Sequence, residues 1–152
     1  MELAAYLRLV RASALYDLVV TGALATPWTL PFAHGLMSHL NQQLGGSALP
    51  AFAPFHMFIG GLLGSIVVVW SLLRLRAPSL LLGRHDGAAR LLFSGWMLWA
   101  LLQTGAPVLW LLLVPEFAWG VAQWWRVVRT EHQAGPSRLQ INSPLRTTSR
   151  TL

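Results

Sequence analysis

The amino-acid sequence predicts an all-α fold: a polytopic membrane protein built as a four-helix transmembrane bundle. Both termini are placed in the cytoplasm, and a short interfacial helix fills the first outer link. Three observations predict this. Of 152 residues, 55% are hydrophobic and 11% charged, a balance shifted toward the apolar side of ordinary globular chains. The apolar residues gather into runs near the ~20 residues that a helix needs to cross ~30 Å of hydrocarbon. Basic residues are confined to alternate links between those runs.

The runs place helices at about 12–32, 55–73, 88–107 and 108–125. In hydrocarbon every backbone polar group needs an internal partner, so helices follow, and no alternating barrel pattern is visible. All 11 basic residues are arginine. Arg8 and Arg11 precede the first run, and Arg74, Arg76, Arg84 and Arg90 surround the second link. Arg126, Arg129 and the later arginines follow the fourth run. The links Ala33 to Pro54 and Thr104 to Pro107 hold no basic residue, so the positive-inside rule places both ends inside. This points to a bacterial-type inner membrane. A cleaved leader competes for the first run, because Arg8 and Arg11 resemble its basic start and Ala23 to Ala25 its cleavage site. Asp17 interrupts that apolar stretch, and Pro27 and Pro31 follow directly, so a retained helix is the preferred reading.

The outer link continues as an interfacial helix with Leu36, Leu40 and Leu44 on one face, and His39, Asn41, Gln42 and Gln43 toward headgroups. In the inner link, Asp86 suits the N-cap of the third helix. Residues 130–152 are polar and turn-rich without periodicity and read as a disordered cytoplasmic tail. No internal repeat is visible, so an inverted-repeat transporter is not indicated.

Polar residues inside the runs are the candidates for chemistry. Asp17 lies ~9 Å inward of Arg11 and Glu116 ~15 Å inward of Arg126, at 1.5 Å of rise per residue. A charge at such depth costs ~2.5 to 3.5 kcal/mol on insertion scales, so both carboxylates should face the bundle interior. Ser13, Asp17 and Thr21 form one stripe at i, i+4 spacing. Asp17 and Arg90 are at comparable depth and opposite in charge, and predict a structural ion pair between helices. Glu116 is then expected unpaired, or hydrogen-bonded to Gln123, Gln103 or a tryptophan N–H. An unpaired carboxyl in low dielectric is suited to proton transfer, which makes Glu116, with Asp17, the catalytic candidate.

Trp96, Trp99 and Gln103 share a face of the third helix; Glu116, Trp119 and Gln123 share one on the fourth. These six are the ligand-pocket candidates, with packing as the plainer role of the tryptophans. Trp28, Trp110, Trp124 and Trp125 fall near the interfaces as belt anchors. Gly60/Gly64 and Gly61/Ser65 give the small-xxx-small spacing of close helix contact, within the bundle or between copies. His34, His39 and His56 lie on the outer side, but the spacing of His34 and His39 suits a helical metal site poorly and no acidic residue joins them. No metal or cofactor is expected.

Absence of cysteine excludes disulfides and thiol catalysis. P-loop, GxGxxG, HExxH and GxSxG motifs are missing. The arginines flank apolar runs and form no basic face, so nucleic acid is not an expected partner. The expected partner is the lipid bilayer, with a membrane-protein partner, a small amphiphile or a second copy as additional ones. The favoured function is an accessory subunit or a binder of a small amphiphile within the bundle. The alternatives are an intramembrane acid–base enzyme of the lipid or isoprenoid isomerase type, and a proton-coupled transport component.

Overall fold

A computed structural model describes residues 1–128, in which five helices and no strand are found. They are α1 (Leu3–Thr21), α2 (Thr29–Gln43), α3 (Pro54–Arg76), α4 (Leu80–Thr104) and α5 (Leu109–Gln123). The tail expected to be disordered, 130–152, lies outside the described residues.

The first apolar run is not one helix, as expected, but two. After α1 a single 3-10 turn covers Gly22–Ala25, and α2 then departs at 109° to the preceding segment. Pro27 supplies the reason. Its ring drives the preceding residue out of the helical region, and Thr26 is extended at φ −128° and ψ 148°. Thr26 also starts α2: its Oγ1 accepts the Thr29 N–H at 3.1 Å and its carbonyl accepts the Leu30 N–H at 3.0 Å. Pro31 sits in the first turn of α2, where a missing N–H removes no helical bond. The interfacial helix expected in the outer link is the continuation of this same α2. Its Asn41 is buried and does not face headgroups. The Asn41 amide donates to the Ser47 carbonyl at 2.7 Å and its Oδ1 accepts the Val108 N–H at 3.0 Å, tying the link to the start of α5.

α3 begins with Pro54 in its first position, where proline is pre-organised. α4 begins eight residues earlier than expected. Its N-cap is Ser79, whose Oγ accepts the Leu82 N–H at 3.1 Å, so Asp86 is inside the helix and does not cap it. It ends at Gly105, whose φ of 63° lies in the left-handed region that glycine enters without strain. α5 has 15 residues, ~22 Å of helix. Turns at Leu109, Trp110, Trp124 and Trp125, closing onto the carbonyls of Ala106, Pro107, Val121 and Ala122, lengthen its helical path at both ends.

One helix in the described residues, α3, is by itself long and apolar enough to cross a membrane. The segment Leu3–Ala25 with α2 meets the same criterion as a bent pair, and α5 is a shorter apolar helix. Burial is distributed inside out. The largest fully buried side chains include Arg74 and Arg90, while Val19 is 81% and Trp28 82% exposed. At one end of the bundle, Tyr6 Oη donates to the Gln123 carbonyl at 2.9 Å and Arg84 donates to the Trp125 carbonyl at 3.0 Å. Glu2 also pairs with Val128, so the two described chain ends lie side by side.

Of the two small-residue pairs on α3, one packs and the other does not. Gly64 is where α3 meets the 3-10 turn. A Cβ there would lie 2.6 Å from the Leu24 carbonyl carbon and the Ala25 nitrogen, both backbone atoms with no rotamer to yield. A Cβ at Gly60 would reach Leu30, so the Gly60/Gly64 face is spent within the chain. Gly61 and Ser65 make no such contact within the described residues of the chain. A Cβ at Gly61 meets nothing within 4 Å, and Ser65 is exposed. The Ser65 hydroxyl turns back onto its own helix, donating to the Gly61 carbonyl at 2.8 Å. Helical geometry explains the difference: each residue is rotated about 100° from the one before it, so with Gly60 and Gly64 facing inward, Gly61 and Ser65 look outward.

Gly64→Val should destabilise the protein by about 1–3 kcal/mol through overpacking. Gly61→Ala should stay within about 0.5 kcal/mol of the parent, as an open position does. Thermal or denaturant unfolding in detergent, followed by tryptophan fluorescence, measures both.

Candidate functional site

Five ionisable side chains from four helices meet in the interior: Asp17 of α1, Arg74 of α3, Asp86 and Arg90 of α4, and Glu116 of α5. Helical spacing brings them there. Tyr6, Val10, Ser13, Ala14 and Asp17 are the buried stripe of α1, and Asp86 and Arg90 are one turn apart on α4. Arg74 sits in the last turn of α3, where a cation is favoured by the helix dipole.

Arg90 is the hub. Its Nε lies 3.0 Å from Asp86 Oδ2, its Nη1 2.7 Å from Glu116 Oε2, and its Nη2 2.7 Å from both oxygens of Asp17. Arg74 donates to Asp17 Oδ2 and Asp86 Oδ2 through its two terminal nitrogens. It also donates to Ser13 Oγ at 3.2 Å and Ser71 Oγ at 3.1 Å. Neutral donors complete the network. Trp70 Nε1 reaches Asp86 Oδ1 at 2.8 Å, and Gln123 Nε2 reaches Asp86 Oδ2 and Ser13 Oγ at 2.8 Å each.

The expected Asp17 and Arg90 side chains are thus in contact, as members of a larger network. Glu116 is not unpaired, as expected, and does not hydrogen-bond to Gln123, Gln103 or a tryptophan. Its depth on α5 matches that of Arg90, whose fork has one nitrogen left after Asp17 and Asp86. Arg74 and Asp86 were not foreseen in the site. Their signal was present: Trp70, Ser71 and Arg74 recur at one helical turn, as do Asp86 and Arg90.

The six pocket candidates do not come together. Trp96 and Trp99 are 69% and 57% exposed, and pack edge to face on the outer surface of α4 with centroids 6.0 Å apart. Gln103 is exposed as well, and Trp119 is half-buried against Tyr16. Gln123 is fully buried but belongs to the ionic network. A cavity of about 260 Å³ does reach Glu116, by another route. It opens between α3 and α4, with Ile66, Val67, Phe93 and Met97 as apolar walls and Trp70 beside them. Asp17, Asp86, Arg90 and Glu116 supply its charged lining. Ile66 and Phe93 are 64% and 46% exposed, which puts them at its rim.

A second cavity, of about 490 Å³, lies beneath α2 and contains His34 and His56 on either side of Phe52. Both imidazoles are engaged with backbone: His34 Nε2 lies 2.9 Å from the Pro50 carbonyl, and His56 Nδ1 accepts the Ala53 N–H at 3.2 Å. His39 is exposed and apart from them. Among the described residues no group of three or more His, Asp or Glu side chains is placed to hold a metal.

Chemically, the cluster is a hydrogen-bonded set of oriented charges at the base of an apolar recess. Compared with models of protein families, with curated proteins and with solved structures, the chain shows no significant match. The reading of the site rests on its geometry.

Replacing a carboxylate that both arginines share leaves buried donors short of acceptors, at a cost of about 1–3 kcal/mol or somewhat more for charged donors. Asp17→Asn and Asp86→Asn should therefore lower stability by that order. Glu116→Gln removes the one carboxylate held by a single ion pair and should cost clearly less. Unfolding in detergent measures the order of the three variants. Equal losses would contradict the hub arrangement.

Proposed function

We propose that this chain is an integral membrane protein that holds a small amphiphile in the recess between α3 and α4, with the polar head on the ionic cluster and the tail along Ile66, Val67, Phe93 and Met97. The single observation that carries the proposal is the cavity itself: an apolar mouth, framed by exposed Ile66 and Phe93, above four charged residues, of which Asp17, Asp86 and Arg90 are buried. A site of that composition suits a molecule that is polar at one end only.

Burial supports the membrane setting. A surface dominated by large exposed apolar side chains around a charged interior reverses the order that water imposes. In this reading α1, α3, α4 and α5 each cross a bacterial-type inner membrane, with both ends on the cytoplasmic side. The pairing of the two described chain ends supports an even number of crossings. α2 then lies across the outer end.

A second reading, an intramembrane acid–base enzyme acting on a lipid-like substrate, draws on Glu116. It is the least buried carboxyl of the cluster, with a side chain 13% exposed, and it lines the recess. Glu116→Gln would abolish turnover in an enzyme, whereas a pure binder has no turnover to lose.

Two measurements test the proposal. The absence of cysteine allows single-cysteine labelling without background. Ser47→Cys and Ala77→Cys should label from opposite faces of the membrane; labelling from one face overturns the four-crossing arrangement. Native mass spectrometry on gently extracted protein should show a stoichiometric small molecule. Ala89 also lines the recess, and Ala89→Phe, which fills it without removing a charged group, should remove the molecule. An empty parent protein would overturn the binding role.

A further inference from the structure

We infer that the head group taken by this recess is cationic, a protonated amine with N–H to donate. This rests on the amphiphile reading and adds its chemical class. Charge balance is the starting point. The cluster contains three carboxylates, Asp17, Asp86 and Glu116, against two guanidinium groups, Arg74 and Arg90. Fully ionised, it carries one negative charge more than it neutralises. An uncompensated charge in low dielectric is a costly residue of folding, and it marks where a counter-charge is wanted.

Hydrogen bonding locates that charge. Both oxygens of Asp17 accept from arginine. Asp86 Oδ1 accepts from Trp70, and Asp86 Oδ2 from Arg74, Arg90 and Gln123. Glu116 Oε2 accepts from Arg90, while among the described residues Glu116 Oε1 accepts from nothing. Among the described residues, the one carboxylate oxygen of the cluster without a donor thus belongs to a residue that lines the recess.

An anionic head fits badly. Arg90 is the only cation in the lining, and each of its three nitrogens already donates to a carboxylate. A primary ammonium instead places one N–H on Glu116 Oε1, and the cluster becomes electrically neutral. Trp70 and Phe93 in the same lining add aromatic surface, which is tolerant of cations.

The test uses full-length protein in nanodiscs of neutral lipid and three probes with the same tail: octylammonium, octanol and octanoate. Binding is read by thermal shift and confirmed by native mass spectrometry, with Ala89→Phe as the blocked control. Octylammonium should bind at least about tenfold more tightly than either other probe, and Glu116→Gln should erase that preference. If octanol or octanoate binds equally well and Ala89→Phe blocks it, the cationic class is overturned while the amphiphile site stands. Preferential octanol binding would mean that Glu116 balances the cluster with its own proton. If none of the three binds to folded protein, the amphiphile reading falls, and the cationic head with it. Should Glu116→Gln fail to fold, the ranking of the probes on the parent protein still decides.

Discussion

Two arginines on neighbouring helices hold this fold. Arg74 and Arg90 both reach Asp17 and Asp86, so α1, α3 and α4 share one electrostatic joint, and Glu116 adds α5 to it. Few other contacts in the interior are as directional, because the remaining core is small. Tyr6, Val10, Ala14 and Leu30 are its principal apolar members. In the proposed bilayer setting, ionic hydrogen bonds would fix angle and register in a way that apolar packing against lipid would not, since sliding one apolar helix over another changes little in contact energy there. The guanidinium fork suits this work. Arg90 alone addresses three carboxylates from one plane, which a lysine ammonium on a flexible stem would not reproduce.

The same joint creates the recess. Where four helices converge on charged groups, α3 and α4 cannot close completely above them, and Ile66 and Phe93 remain at an open edge. Stability and the candidate site are therefore one feature. The side chains that hold the helices together also form the floor on which a ligand would rest.

Much of this was legible in the sequence where helical geometry decides position. The rise per residue put Asp17 and Arg90 at one depth, and their contact follows from opposite charge there. The break between α1 and α2 was harder to read. Apolar runs report burial or lipid contact, but they do not register that Pro27 forces Thr26 into extended geometry. Arg74 and Asp86 were missed for a related reason. Around "RLRAPSLLLGRHDG" two glycines, a proline and several charges resemble a loop, yet Ser79 caps a helix that tertiary packing carries through the glycines. Trp96 and Trp99, read as facing a pocket, lie instead on the outer surface of α4. On a helix apolar on most of its sides, periodicity identifies a face without saying whether it looks inward or outward.

The order of the cluster along the chain has a consequence for biogenesis. Asp17 is synthesised 57 residues before Arg74 and 73 before Arg90. In the proposed bilayer setting, α1 would enter with its carboxylate alone, at the insertion penalty of a buried acid, ~2.5 to 3.5 kcal/mol. Neutralisation arrives only with the α3–α4 hairpin, and α5 joins last through Glu116. In that setting the nascent first helix would be held only loosely until its counter-ions had been made.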